Sequence, residues 1–522
     1  MLRDQIHEAV QQAVSTRYGD IDVPAFVVAR PDRAEHGDYA TNIAMLLSRV
    51  LKRPPMEVAE QLASDLTQGF IEKVEVAPPG FLNFFLHTSA FQKELGQILT
   101  KEDHYGDSEI GKGERVQIEF ISANPTGPLT VANGRGGSIG DTLAAVLAKT
   151  GREVVREYYI NDAGEQIRVL GHSVMGDAQA QYSGAYIEEL RERITGMDAE
   201  EIGRGAADEI LKAIKRTVTD GMGINMDVWF SERSLHESGA VDRVLAWLKE
   251  QGLAYAEEGA LWFRASNFGD DKDRVLVKSD GEKTYLAGDF AYHRNKFLER
   301  KFDRVINVWG ADHHGDVARI KAAVEVLGYK GKLEIVIMQF VRLIRGGAPV
   351  RMSKRKGVYV TADELLEEVG RDAFRFFFLM HAADTHMDFD LDLAKERSVH
   401  NPVFYVQYAH ARIASIFEKA GSEDNNAGVD VSFLATPEER TQMAHLIRFP
   451  EVVEDTAKDY HVHRLTRYVM ELATYFHGFY ERHRVVSDNK EQTAARLQLV
   501  RATRIVLKEA LRLLGVSAPE RM

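Results

Sequence analysis

The sequence predicts an α/β protein with a doubly wound parallel sheet in the middle of the chain. A small α/β domain precedes that sheet and an all-α domain follows it. Three observations carry that expectation. Residues 115–151 read as a strand, a Gly/Pro-rich loop and a helix. From 153 to 338, short β-prone runs alternate with segments of helical period, as βαβ units do. After about Asp390 the strand signal fades, and long amphipathic stretches run to the end.

Along the chain, Leu2, Ile6, Val10 and Ala13 fall on one helix face, Pro54-Pro55 opens a second helix, and Phe81–Leu86 is a strand. The polar stretch 101–114 carries Gly106, Gly111 and Gly113 and reads as a linker. It holds a near-match to a P-loop, G-D-S-E-I-G-K-G. Gly113, however, stands where Ser or Thr should bind magnesium, and the match precedes a strand instead of following one. Ile118, Phe120 and Ile121 then form a β-prone run, broken by Asn124-Pro125 and Gly127-Pro128. Over 138–148, Ile139, Leu143, Val146 and Leu147 keep the 3.6-residue period, and Gly151 closes the helix. The segment G-R-G-G-S-I-G spaces its last glycine one residue too far for a dinucleotide fingerprint. Glu153–Ile160 is the next strand, a helix starts at Asp162, and an acidic helical insertion occupies about 186–222. The β-rich runs 304–309 and 333–338 enclose a helix over 317–327. Free N–H groups and the positive dipole end of the helix after the Gly/Pro loop predict an anion there, as in Rossmann-like sheets.

At 522 residues the chain has length for several cores, and we divide it into domains 1–106, 107–392 and 393–522. Zero cysteines exclude disulfides and Cys-based zinc sites and fit a reducing, cytoplasmic setting. The first residues lack a leader-like apolar run, and no stretch approaches the ~18 apolar residues of a membrane span. A net charge of −13 argues against nucleic-acid binding by bulk charge, so any such binding must come from local patches. Residues 461–522 hold 11 Lys/Arg against 6 Asp/Glu, with Arg482, Arg496, Arg501, Arg504, Lys508 and Arg512 at helical spacing. Taken alone, that row reads as a solvated helix face.

The segment A-N-P-T-G-P-L, with Thr130-Val131-Ala132-Asn133 and G-R-G after it, resembles the ATP-binding signature of class I aminoacyl-tRNA synthetases, the arginyl enzymes in particular. The family usually has His-Ile/Val-Gly-His at those four positions, so three of the four depart. Thr130 and Asn133 both keep hydrogen-bonding capacity toward a phosphate or ribose oxygen. Ala132 adds a methyl where glycine lets adenine lie flat on the backbone. Arg351-Met352-Ser353-Lys354-Arg355, about 220 residues on, resembles the mobile K-M-S-K-S loop of the same enzymes. Cations there would meet the charge that grows on the bridging and terminal phosphate oxygens as pyrophosphate leaves. The resemblance therefore assigns ATP to Pro125, Gly127, Thr130, Val131, Ala132, Asn133, Gly134, Met352, Ser353 and Lys354. It assigns catalysis to Lys354, Asn133, Thr130 and Arg351.

The same resemblance puts Glu119 and Asn124 on the backbone groups of arginine, and Tyr285 and Asp289 of Y-L-A-G-D around its side chain. A guanidinium and a buried carboxylate each require the other. The run from Glu157 to Gly164, E-Y-Y-I-N-D-A-G, should line the same cleft. Asp312-His313-His314-Gly315-Asp316 lacks the i, i+4 pairing of common zinc sites, and the resemblance places it at a strand's carboxyl edge, with His313 near ribose or arginine. No structural metal is expected; Mg2+ would arrive with ATP. Residues 33–47 resemble the family's tRNA-elbow domain. N-P-V-F-Y-V-Q-Y-A-H-A-R-I and the ending L-G-V-S-A-P-E-R-M resemble its helical anticodon domain, in which Tyr405, Tyr408 and His410 would stack or pack.

The resemblance implies an ATP-dependent arginine–tRNA ligase acting on L-arginine, ATP and tRNA(Arg), expected to be monomeric and away from membranes. A synthetase-like tRNA-binding protein that no longer activates an amino acid stays open as the alternative, motivated by Thr130, Ala132 and Asn133. Cysteinyl and glutamyl synthetases fit less well, because cysteine ligands are absent and the Tyr285/Asp289 pair is present.

Overall fold

Five parallel strands form the central sheet: β1 (Arg115–Glu119), β2 (Glu153–Ile160), β3 (Val228–Ser231), β4 (Arg304–Gly310) and β5 (Leu333–Met338). The computed structural model describes residues 1–31, 33–67, 69–350, 360–421 and 428–522. The strand order is β5-β4-β1-β2-β3. The chain winds outward from β1 in one direction, returns, and winds outward from β4 in the other. Loops leaving the carboxyl ends of β1 and β4 therefore diverge and open a crevice, the usual ligand position in such sheets. Alternate residues serve the two faces. Val116, Ile118, Tyr158 and Ile306 join the core shared with the helix Val131–Lys149. Val305, Tyr159 and Trp309 join a second core with the helices Ala240–Glu250, Tyr285–Arg294 and Val317–Val326. The predicted doubly wound sheet is present.

The helix Val131–Lys149 begins a full two turns before the periodicity seen over 138–148. Its first turns contain Gly134, Gly136, Gly137 and Gly140, poor helix formers that hide the pattern. Tertiary packing holds them instead. A Cβ at Gly134 would meet Phe374 at 2.4 Å, and one at Gly140 would meet Phe120 at 2.2 Å.

The N-terminal part is an antiparallel sheet of Val28–Ala29, Tyr39–Thr41, Phe81–Leu86 and Ile71–Ala77, backed by helices. Its first helix, Leu2–Tyr18, buries Leu2, Ile6, Val10 and Val14, so Val14 replaces the expected Ala13 on the core face. Helices make up nearly all of the chain after Asp390, among them Pro402–Ala420, Phe449–Asp459, His463–Arg482 and Lys490–Leu514. Two small sheets were not legible in the sequence: Ala254–Glu257 with Ala260–Phe263 and Arg274–Val277, and Val341–Arg345 with Ala348–Pro349 and Met387–Asp390. The acidic insertion is helical, as expected. Among the described residues no helix is long and apolar enough to cross a membrane.

Candidate active site

The loop after β1 is held under strain. Ile121 and Ser122 adopt φ of 68° and 40°, a region that a β-branched residue rarely enters. Three bonds fix it: the Tyr159 N–H donates to Ser122 Oγ at 3.1 Å, Tyr158 OH to the Ala123 carbonyl at 2.8 Å, and Tyr186 OH to the Thr126 carbonyl at 3.0 Å. Pro125 is buried, Gly127 is partly buried, and Asn124 is exposed. Thr130 then caps the helix. Its N–H and its hydroxyl both donate to Asn133 Oδ1, at 2.9 and 2.8 Å. The two polar residues of the signature thus orient each other, and the Asn133 amide is aimed at the helix entrance. Val131 is buried, Ala132 partly so, and Gly134 is closed off by Phe374.

Two further contacts tie this entrance to the rest of the protein. The Ala362 N–H donates to the Leu129 carbonyl at 2.8 Å, and Thr130 bridges Thr361. The segment that follows 351–359 is thereby pinned to the signature; Arg351, Met352, Ser353 and Lys354 themselves lie outside the described residues. Arg135, fully buried, donates to the carbonyls of Gln339 and Ala382 at 2.7 Å and Thr385 at 3.0 Å. Burial without a bonded carboxylate lowers it to about 10.

The opposite wall is acidic. Asp289 stands on the helix Tyr285–Arg294, and among the described residues no side chain bonds its carboxylate. Burial, with Glu119 nearby, pushes it up to about 7, against the partly opposing Arg319. Glu232 opens the helix Glu232–Glu237 and is buried, with Oε2 lacking a partner. Burial, then Asp289 and Asp162, push it also to about 7. Its Oε1 would lie 3.4 Å from a Cβ on Gly288, so this carboxylate rests against the helix one residue before Asp289. Asp162, by contrast, is satisfied by Ser231, the Arg233 N–H and the Arg233 guanidinium. Glu119 is buried and paired with Lys296 at 2.6 Å. Tyr285 is 68 % exposed at the start of the helix bearing Asp289. His313 is exposed on the turn after β4, beside Asp316 at 3.4 Å, and Asp316 in turn acts on Asp289. Among the described residues no three His, Cys, Asp or Glu side chains gather for a metal.

A strained loop and a capped helix entrance thus accompany a group of carboxylates in which, among the described residues, neither Asp289 nor Glu232 pairs with a Lys or Arg, and Glu232 has only His236 at 3.8 Å. Three family models match the chain: "Arginyl tRNA synthetase N terminal domain" over 2–86, "tRNA synthetases class I (R), catalytic domain" over 198–379, and "DALR anticodon binding domain" over 406–522. The arginine–tRNA ligase of Carboxydothermus hydrogenoformans is 46% identical, covering 98% of this chain and 97% of its own. The chain belongs to the arginyl-tRNA synthetases. The ligase of Desulforudis audaxviator is likewise 46% identical, over 100% and 99% of the two chains. The solved arginyl-tRNA synthetase of Thermus thermophilus superposes with a TM-score of 0.80 at 25% identity, covering 100% of both chains. Like other arginyl-tRNA synthetases, the protein is an ATP-dependent aminoacyl-tRNA ligase with a Rossmann-like catalytic sheet.

Within this synthetase fold the structure brings Thr130 to Asn133 and sets Glu119 within electrostatic reach of Asp289. Sequence reasoning missed Glu232, Lys296 and Arg135. Lys296 had a signal: it lies seven residues after Asp289 on a continuing helix, hence on the same face. Glu232 had none, because S-E-R-S reads as an ordinary helix start.

Proposed function

We propose that the crevice binds L-arginine with its guanidinium between Asp289 and Glu232 and its α-ammonium on Glu119, with ATP over the Thr130–Asn133 cap. The single observation that carries this reading is the pair of carboxyls that meet at Gly288, Asp289 with no side-chain bond among the described residues and Glu232 with Oε2 unbonded, both raised to about 7. A guanidinium offers five donors in a planar fork and is the natural counterion for two carboxylates. Tyr285 would close over the side chain, and His313 and Asn124 would reach ribose and the amino-acid backbone.

The arginine carboxylate attacks the α-phosphorus of ATP. The bond to the β-phosphate breaks, and pyrophosphate departs as its Mg2+ complex, leaving arginyl-adenylate. A hydroxyl of the 3'-terminal adenosine of tRNA(Arg) then attacks the arginyl carbonyl and expels AMP. The positive end of the helix Val131–Lys149 favours the phosphates. We assign Lys354 and Arg351 to the departing pyrophosphate, Pro125, Gly127, Val131, Ala132, Gly134, Met352 and Ser353 to the nucleotide's shape, and no structural metal. The domain roles we propose are tRNA elbow for 1–106, catalysis for 107–392 and anticodon for 393–522. In the last, Arg412 stacks over Tyr408 at 4.6 Å and Tyr480 at 5.3 Å and donates to Tyr408 OH, a platform suited to an unpaired base. Buried His410, bonded to the Pro519 carbonyl, packs instead of stacking. A cytoplasmic monomer completes the proposal.

Arginine-dependent ATP–pyrophosphate exchange, with and without tRNA and with the other amino acids as controls, tests it. Exchange with arginine alone among the amino acids supports the reading. Exchange with none, despite retained tRNA binding, overturns it.

A further inference from the structure

Asn307, Glu119 and Glu157 are registered neighbours on β4, β1 and β2, so their side chains stand in one row on one face of the sheet. Glu119 is 6 % exposed and Glu157 0 %, which places two buried carboxylates side by side. The helix above, Tyr285–Arg294, continues as a π turn over Asn295–Glu299, the wide kind of turn that recurs at functional sites. This segment brings two cations to the row. Lys296, fully buried, puts Nζ 2.6 Å from Glu119 Oε2, 3.4 Å from Asn307 Oδ1 and 4.0 Å over the Tyr292 ring. Arg300 pairs with Glu157, which also accepts from Tyr292 OH at 2.5 Å.

A buried ion pair of this kind is weak evidence of stabilisation, since well-packed apolar groups often serve as well. This one involves the carboxylate that closes the amino-acid pocket. Lys296 occupies only Oε2, and among the described residues nothing bonds Oε1. We propose that Lys296 is a positioning residue for the amino-acid substrate: it locks Glu119 through Oε2 so that Oε1 receives the α-ammonium of arginine. The inference rests on the assignment of Glu119 above. The charged and titratable groups around the pair are Glu157 and Arg300 in the row, Tyr159 on β2, and Asp289, Tyr292 and His293 on the helix. Asp316 and Arg319 lie beyond Asp289. Without Lys296, Glu119 would stand beside Glu157 and Asp289 with no cation in contact. It would then be free to rotate away from the site, and its grip on an ammonium would fall.

The test uses the full-length enzyme with tRNA, reading the arginine KM in exchange and inhibition by 5-guanidinopentanoate, which is arginine without its α-amino group. Lys296→Met should raise the arginine KM about 10-fold or more, the scale of one charge-assisted contact, while inhibition by 5-guanidinopentanoate and the ATP KM hold. Arg300→Met, which disturbs the neighbouring pair, should leave the ratio of the two guanidinium compounds unchanged, and Lys296→Arg should recover part of the loss. A thermal melt checks folding, and Lys296→Gln reads the same ratio should the methionine variant not fold. Equal weakening toward both compounds, or unaltered arginine binding, overturns the inference. Glu119→Gln separates the two levels. If it leaves the arginine KM unchanged, the Glu119 assignment fails. If it raises the KM while Lys296→Met does not, only the role of Lys296 fails.

Discussion

Asp289 and Glu232 meet at Gly288 without a Lys or Arg partner among the described residues, and burial pushes both carboxyls up to about 7. In the folded, empty protein they hold protons that they would release near pH 4 in the unfolded chain. The native state therefore binds more protons between about pH 4 and 7, so these groups cost stability progressively as pH rises through that window, and the cost levels off above it. A guanidinium reverses the preference, because it binds the ionised forms. Arginine must then expel protons below pH 7, and its KM should fall about 10-fold or more between pH 6 and 8 while the ATP KM changes little. Exchange kinetics across that range would show it, and an arginine KM that is flat or rises would remove the carboxylate pair from the substrate site. Asp289→Asn should raise the arginine KM about 100-fold, a loss of roughly 3 kcal/mol for one charged partner, again sparing ATP; equal effects on both substrates would sink its specificity role. At this scale the sequence was informative only where a motif named the residue. Asp289 was visible through Y-L-A-G-D, whereas Glu232 becomes significant only because the fold carries it across to Gly288.

The element that organises the nucleotide half is the helix Val131–Lys149, and its glycines explain both its packing and its partial invisibility in the sequence. A Cβ on Gly140 would sit 2.2 Å from the Phe120 ring, but one on Gly136 would find Met338 no nearer than 3.7 Å. Both substitutions to alanine raise helix propensity by about 1 kcal/mol, so propensity alone predicts equal gains. Packing separates them: Gly140→Ala should lose roughly 1–3 kcal/mol net, while Gly136→Ala should be neutral or slightly stabilising, as chemical unfolding would report. Equal stabilities would mean that the close approach does not control the helix. The strands β2 and β5 were legible to the residue because β-branched and aromatic residues crowd them soon after Gly151 and Gly331. The small antiparallel sheet 254–277 was not, since its four-residue strands give too few alternations to register. At the helix's entrance, Thr361 and Ala362 tie the exit of 351–359 to Leu129 and Thr130. Lys354 is assigned above to the departing pyrophosphate, so Lys354→Ala should lower turnover by about 10–1000-fold with little change in arginine affinity. An unaltered rate would remove the loop from the chemistry.

At the scale of the whole molecule, the two ends of the chain meet. Asp38 pairs with Arg440; Arg3 pairs with Glu454 and Asp455; Arg30 and Tyr39 both contact Glu451, Tyr39 OH donating at 2.6 Å. All of these join the N-terminal part to the helical C-terminal part, chiefly to the helix Phe449–Asp459. The net charge of −13 makes the use of cations informative. Arg482, Arg496, Arg501, Arg504 and Arg512, which stand in a suggestive row in the sequence, are each in an ion pair with Glu438, Glu439, Glu102, Glu520 and Glu509. Helical spacing shows that such cations share a face, but it cannot show that Glu438, Glu439, Glu102 and Glu520 meet four of them. The charges of that row are thus already engaged by carboxylates, and Arg412 among its aromatic neighbours is the better candidate for touching nucleic acid. Glu451 is the centre of the clasp: it is 6 % exposed, and removing it leaves the Arg30 guanidinium with only the Tyr39 hydroxyl and that hydroxyl without an acceptor. Glu451→Ala should cost roughly 3–5 kcal/mol, because a broken buried pair leaves a charge unpaired. The loss should appear in calorimetry as an N-terminal transition separating from the main one. The proposed arginine site lies on other elements, so substrate KM values should hold while affinity for tRNA, assigned above to both end domains, declines. A single unshifted transition with unchanged tRNA affinity would show that the two ends are held by apolar contact alone.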